Sequence, residues 1–183
     1  MLLPARNNMF EFFFAKTFIP DEIEQKYMPY FDRIPGNMFG RCIDYLNYGI
    51  LGFNMQNTQF KVVEQYDRKT SYNRIYRSPF SPEKLTSKEF TVINQLYDGY
   101  VNYFLMLDLF HYYYSSSEDK FIPGVPFMRV LDGYGYEVFT IEYKNVLFTG
   151  IDGLDFNFSS NTIDMKTFNC IFRAQEVEIK LAI

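Results

Sequence analysis

Two spacings run through this chain of 183 residues, one of strands and one of a helix. The opening stretch Asn7–Ile19 (NNMFEFFFAKTFI) puts Phe10, Phe12, Phe14 and Phe18 on one side and Glu11, Phe13, Ala15 and Thr17 on the other. That is the two-residue repeat of a β-strand with one apolar face and a second face only half polar. A strand with one face in water alternates more cleanly, so the second face is expected to meet another surface. Pro20, Pro29 and Pro35 punctuate Pro20–Gly36, which reads as an irregular connection. Asn37–Tyr48 carries Phe39, Ile43 and Leu46 at helical spacing and reads as a short helix. Gly49–Asn57 and Gln59–Tyr66 read as strands, Asp67–Asn73 as a turn, Arg74–Arg77 as the return of a hairpin, and Ser78–Lys88 as a loop.

Glu89–Asn94 (EFTVIN) is rich in β-branched and aromatic residues and reads as a compact strand. A long helix follows, with Tyr97, Val101, Phe104, Leu107, Phe110 and Tyr114 at three- and four-residue steps, Asn94 or Asp98 as its cap, and the polar Ser115–Lys120 as its end. Phe127–Leu131 and Tyr136–Phe148 read as strands joined by the turn Asp132–Gly135 (DGYG). Thr149–Gly153 reads as a turn, Leu154–Phe158 as a short strand, Ser159–Asp164 as a polar loop and Lys166–Ile183 as a long closing strand. In that last strand Phe168, Cys170, Phe172 and Ala174 are even while Val177, Ile179, Leu181 and Ile183 are odd. A strand cannot change faces without an extra residue, so a bulge or break is expected near Gln175, or else the tail leaves the domain and packs elsewhere. An apolar strand at a terminus is an aggregation hazard unless something pairs with it.

Composition sharpens this. Hydrophobic residues make up 48% and charged residues 22%, enough apolar material for a core and against global disorder. With 21 Phe, 16 Tyr and no Trp, the chain leans to strands rather than to a Leu- and Ala-built bundle. The length fits one domain. The net charge is −4, and the basic residues are scattered, the nearest to a cluster being Arg68, Lys69, Arg74 and Arg77, so a nucleic-acid-gripping surface is not expected. Cys42 and Cys170 are far apart and read as small buried residues, with no disulfide framework or zinc spacing. Met1–Phe14 lacks the layout of a signal peptide, and no run approaches the ~18 apolar residues of a membrane span, so a soluble protein assembled inside the cell, without a membrane partner, is expected.

Candidate chemistry is sparse. The single histidine, His111, has no nucleophile motif beside it and is expected to be buried or interfacial. Asp152 and Asp155 flank a turn glycine without EF-hand spacing and read as turn residues. The glycines of DGYG form neither a dinucleotide fingerprint nor a P-loop. No catalytic, cofactor-binding or metal-ligating residue is assigned, and an enzyme is not expected.

Three blocks carry a family resemblance. Arg6-Asn7-Asn8-Met9-Phe10 leading into an aromatic strand resembles the first strand of the tail-tube proteins of contractile-tailed bacteriophages and of the related baseplate proteins that start the tube. Glu89–Tyr114 is similar to that family's central strand and single prominent helix, and Tyr136–Val177 to its closing block, with Thr167, Phe168 and Phe172 in the phrase that marks the last barrel strand. The blocks cover about half of the chain.

The resemblance implies a mainly β fold: an antiparallel β-barrel or sandwich of the tail-tube type with one flanking helix, in a single domain 1–183 with an irregular insertion at about 20–88. It implies a virion protein of the tail, built in the host cytoplasm, without cofactor. Six copies would form a ring, rings would stack, sheath and baseplate proteins would be partners, and phage DNA would be cargo in transit. Phe10, Phe12, Phe14, Val177, Ile179 and Leu181 are the candidate inter-subunit residues, because a continuous sheet across subunits removes exposed edges. The excess of acid suits a conduit that repels phosphate. A tube-initiating baseplate ring or a terminator ring is the alternative role, and a monomeric module with an aromatic ligand pocket is a further one.

Overall fold

The computed structural model describes residues 9–33, 39–55, 62–67, 72–77, 88–115, 121–154 and 166–182, with the backbone alone for 62–67 and 72–77. Strand β1 spans Phe10–Phe13 and is followed by helices α1 (Asp21–Phe31) and α2 (Cys42–Tyr48). Then come β2 (Ile50–Met55), β3 (Val62–Asp67), β4 (Tyr72–Arg77) and β5 (Glu89–Gln95). A 3₁₀ turn at Asp98–Tyr100 leads into α3 (Val101–Tyr114), and β6 (Phe127–Leu131), β7 (Glu137–Ile151) and β8 (Thr167–Leu181) close the chain. Six strands form one antiparallel sheet in the order β1-β6-β7-β8-β5-β2, and β3 and β4 form a separate antiparallel pair. The large sheet curls until its two edge strands nearly meet, with the ring of Phe12 on β1 stacked on Phe53 of β2 at 4.9 Å. This is the expected mainly β, nearly closed antiparallel barrel.

The interior is aromatic. Phe90, Phe172 and Phe148 stack in sequence at 5.3 and 4.5 Å, and Tyr143 lies 4.4 Å from Phe90. Stacked and edge-on rings add to the burial of large apolar areas. Helix α3 covers the sheet through Tyr103, Leu105, Met106, Leu109 and Tyr113, with Tyr103 edge-on to Phe168. The buried face differs from the expected one: Phe104 and Tyr114 are exposed. Nearly every position of this helix is apolar, so spacing cannot choose its face. Nor does a side chain cap it. Asn94 is buried in β5, and the helix is entered through Tyr100 at φ 57°. Asn102 secures that approach, accepting from the Tyr97 N–H at 3.2 Å and donating to the Gln95 carbonyl at 2.6 Å.

Elsewhere the pattern misled in identifiable ways. The opening strand is only four residues, because the chain turns after Phe14. The proline-marked stretch 20–36 contains α1, not an irregular connection. Pro20 sits at the helix's N-terminal boundary, where its missing N–H costs nothing, and Pro29 falls in the last turns. Ile23, Tyr27 and Phe31 form its buried stripe. Residues 149–151 continue β7 rather than turning. The strand expected at 154–158, the loops at 78–88 and 159–164, and the side chains of the basic cluster fall almost wholly outside the described residues. The DGYG turn is present, with Asp132 Oδ1 accepting from the Tyr134 and Tyr136 N–H groups and Gly135 at φ 87°.

The change of phase in the closing strand is solved by two strands together. Pairing of β7 with β8 keeps one register from Phe139↔Leu181 to Phe148↔Phe172. On β7 the buried positions step from Tyr143 to Val146, and on β8 the apolar positions step from Ala174 to Val177. Each strand takes an extra residue at the same level. Asn145 adopts a left-handed φ of 50°, and its Nδ2 donates to Gln175 Oε1 at 2.9 Å across the step. The tail therefore stays in the sheet, and its apolar side chains stay on the core side.

Two outcomes are expected. Gly124 has φ 83°, and a Cβ there would lie 2.4 Å from the Ala15 Cβ and 2.7 Å from Thr17 Oγ1. Gly124→Ala should therefore cost about 1–3 kcal/mol, read as a lower Tm. Burial pushes the Cys42 thiol from 9.0 to about 12 and the Tyr97 phenol from 10.0 to about 12, and raises Tyr27, Tyr113 and Tyr143 as well. The fold favours the neutral forms, so this stability is whole below about pH 9 and is lost as pH rises through 9 to 12, which denaturant titrations at stepped pH will register.

Candidate functional site

The features that call for a partner are two strand edges and the groove beside one of them. On β1, the Met9 carbonyl accepts from the Leu131 N–H at 2.9 Å. Strand backbones alternate, so Met9, Glu11 and Phe13 point their polar groups at β6, and Phe10, Phe12 and Phe14 point theirs the other way. The groups of Phe14 are taken by a side chain: its N–H donates to Asn47 Oδ1 at 2.9 Å, and its carbonyl accepts from Asn47 Nδ2 at 3.5 Å. Those of Phe10 and Phe12 face the seam between β1 and β2 with no strand beside them among the described residues.

The second edge belongs to β8. Its pairing with β5 ends at Arg173↔Glu89, while its pairing with β7 continues to Leu181. Beyond residue 174 the strand is an arm, one side of which has no strand beside it among the described residues. Ala182 N–H donates to the Val138 carbonyl at 3.0 Å, so the even residues face β7, and Val177, Ile179 and Leu181 turn their backbone groups outward. Lys88 marks where this open edge begins, its Nζ donating to the Gln175 carbonyl at 2.6 Å. Ile179 is 65% exposed and Leu181 70%. Tyr134, Tyr136 and Val138 are exposed at the same end of the hairpin.

All six residues singled out by alternation thus lie on these edges. Phe12 and Phe14 turn their side chains into the chain's own core, at 3% and 2% exposure, so only their backbone groups face outward. Phe10 is half-buried, and Val177 is partly covered. The seam groove, of about 610 Å³, was not foreseen. It is lined by Phe10, Phe12, Phe39, Tyr48, Ile50 and Leu51, with Glu11, Asp44 and Asn47 among its polar groups. No local spacing in the sequence signals it.

The outward face of β1-β6-β7-β8 is charged. Arg129 bridges Glu11 at 4.0 Å and Glu137 at 3.5 Å. Lys180 meets Glu142 at 2.7 Å, and Lys144 meets Glu178 at 2.5 Å and Glu176 at 4.0 Å. Five carboxylates thus share three cations on this face. These exposed pairs stabilise little but leave a paired, slightly acidic surface. Phe13 and Phe127 lie 5.4 Å apart on the same face beneath the Arg129 guanidinium.

No catalytic constellation is assembled among the described residues. His111 is exposed on α3, so it is not the buried residue that was one of the two expectations for it, and it stands edge-on to Phe110. Asp108, one turn earlier, pairs with Lys26 and accepts from the Tyr27 hydroxyl at 2.6 Å, joining α1 to α3. Among the described residues, no group of three or more His, Cys, Asp and Glu is placed to hold a metal. No described helix is long and apolar enough to cross a membrane. Asp152, expected in a turn, instead prolongs the contact of β7 with β8, its N–H donating to the Asn169 carbonyl at 3.0 Å and its Oδ2 accepting from the Asn169 N–H at 3.2 Å. Asp155 lies outside the described residues.

Comparison with solved structures sets this geometry in a known frame. The tube-terminating cap of the anti-feeding prophage superposes with a TM-score of 0.57 at 10% identity, over 100% of this chain and 94% of that one. A chain of the anti-feeding prophage baseplate gives 0.55 at 13% identity, over 98% and 97%. The chain has the tube-type fold of contractile injection systems. A chain of the sheath–tube complex of an extracellular contractile injection system, in its extended state, gives 0.51 at 12% identity over 73% of this chain and 81% of that one. No protein-family model and no curated protein matches the sequence. In this tube-type fold the arm of β8 and the edge of β1 bound a four-strand layer, β1-β6-β7-β8, with α3 against Phe148 and Phe168 at the other end of β7 and β8.

Asn47→Ala should leave the Phe14 N–H and carbonyl without partners and cost about 1–3 kcal/mol. A urea midpoint that drops without a change in slope is the expected readout.

Proposed function

We propose that this chain is a structural ring subunit of the tube of a contractile tail or related injection device. The supporting observation is the pair of edges on opposite sides of the β1-β6-β7-β8 layer that have no strand beside them among the described residues. A layer with four antiparallel strands starts and ends on opposed directions: β1 runs against β6, with β7 and against β8. Rotation about a ring axis preserves strand direction, so the β8 of one copy meets the β1 of the next antiparallel. Such a head-to-tail contact closes into a ring and leaves neither of these two edges free. The apolar face of the layer is committed to the subunit's own core, so the charged face lines the channel.

In this reading six copies form the ring, stacked rings and sheath and baseplate proteins are its neighbours in a tail, and DNA is the passing cargo. A wall with more carboxylates than cations repels phosphate and does not retain it. The role is mechanical, without a chemical step. A ring at the end of the tube, rather than a repeated ring within it, is favoured by coverage: the likeness spans 100% and 98% of this chain for the cap and baseplate proteins but 73% for the sheath–tube protein.

Purified protein should give discs or short rods with a central channel in negative stain, and a sedimenting species several times larger than 21.9 kDa. A monomer at all concentrations, with the amides of Phe10, Phe12, Ile179 and Leu181 protected from exchange within that monomer, overturns the proposal, because its edges are then already satisfied.

A further inference from the structure

The groove beside β1 and the arm of β8 fit one another in three independent respects, and that fit names both an occupant for the groove and its register. First, the residues that turn their backbone groups outward, Phe10 and Phe12 on β1 and Val177, Ile179 and Leu181 on β8, are also those whose side chains lie on the core side of the sheet. In an antiparallel pair, residues that exchange both hydrogen bonds stand directly opposite with side chains on the same face. Joining the two edges therefore keeps one apolar face and one charged face across the joint.

Second, charge selects the register. Shifts of two residues keep the faces aligned and bring Glu11 opposite Glu176, Glu178 or Lys180. Like charges directly opposite destabilise a strand pair and opposite charges stabilise it. Lys180 is half exposed and bonded to Glu142, and Glu11 is equally open beside Arg129. Their meeting would extend the row Glu142, Lys180, Glu11, Arg129 across the joint without a break. Third, that register covers the two most exposed aliphatic side chains of the arm: Ile179 comes opposite Phe12, and Leu181 opposite Phe10. The ladder must stop at Phe12, because Asn47 already holds both backbone groups of Phe14.

We propose that the seam groove is occupied by residues 177–181 of a second copy, antiparallel to β1, with Lys180 against Glu11 and Asn47 as the end stop of the ladder. This rests on the ring reading and adds the register of the joint. The apolar side chains of the arm then pack against Phe39, Tyr48, Ile50 and Leu51.

The test is a pair of cysteines at exposed positions away from the core. Glu11→Cys with Lys180→Cys would occupy a non-hydrogen-bonded pair with Cα atoms about 4.5 Å apart, within disulfide range. Native Cys42 and Cys170 are buried and give little background. Oxidation should yield dimers and higher multiples on non-reducing gels that collapse on reduction. Glu11→Cys with Glu178→Cys, the neighbouring register, should yield few. Glu11→Lys alone and Lys180→Glu alone should each raise the concentration needed for assembly roughly two- to fivefold, and the double exchange should restore it. Preferential cross-linking of the control pair, or failure of the double exchange to restore assembly, overturns the register. Rings in the microscope without a disulfide between the cysteines introduced at positions 11 and 180 discard the inserted arm and leave the ring reading standing. Neither rings nor any bond between copies discards both.

Discussion

The fifteen-residue strands β7 and β8 are the spine on which the other elements depend. Among the described residues they are the only pair that spans both the covered and the uncovered ends of the sheet. At the covered end they carry Val146, Phe148, Phe168, Cys170 and Phe172, against which α3 and β5 pack. At the other end they carry Phe139, Ile141 and Val177, which still touch the core, and Ile179 and Leu181, which outrun it. Backbone pairing continues where burial has stopped. An isolated apolar arm of this kind is costly in water, and strands in that position are normally blunted or covered.

Polar side chains decide where the sheet ends. Asn47 takes the place of a strand beside Phe14, and Lys88 does the same beside Gln175. Each stands at the boundary between an edge closed by the chain itself and an edge left open. The helical layer is held with comparable economy: Lys26 and Tyr27 of α1 converge on Asp108 of α3, and the Tyr113 hydroxyl donates to the Phe18 carbonyl at 2.6 Å. The Arg41 guanidinium grips Glu24 at 2.7 and 3.1 Å and holds its carboxyl below the ordinary range, tying α2 to α1.

Much of this was legible in the residues because alternation survives wherever one face is buried. It located β5, β6, β7 and β8, and it flagged Phe10, Phe12, Val177, Ile179 and Leu181 before their edges were known. It failed where periodicity carries no information. In α3, Leu105, Met106 and Leu109 are buried while Phe104 is exposed, and the two sets are equally apolar. In α1, prolines that fit a helix boundary looked like breakers. The seam groove is a property of the curl of the sheet, which brings residues of β1, α2 and β2 together from distant parts of the chain. Nothing local in the sequence announces it. Nor did anything suggest that the extra residue near position 175 has a twin at 145.

That twin has a consequence for how the sequence can change. A deletion at Asn145 alone would turn every side chain on one half of β7 to the opposite side, and a deletion at Gln175 alone would do the same to β8. Losing both would merely straighten the ribbon. The two positions lie thirty residues apart, so point-by-point drift in length is forbidden there, and the left-handed φ of Asn145 narrows substitution at that position as well. The step is a lock that only two simultaneous events can open.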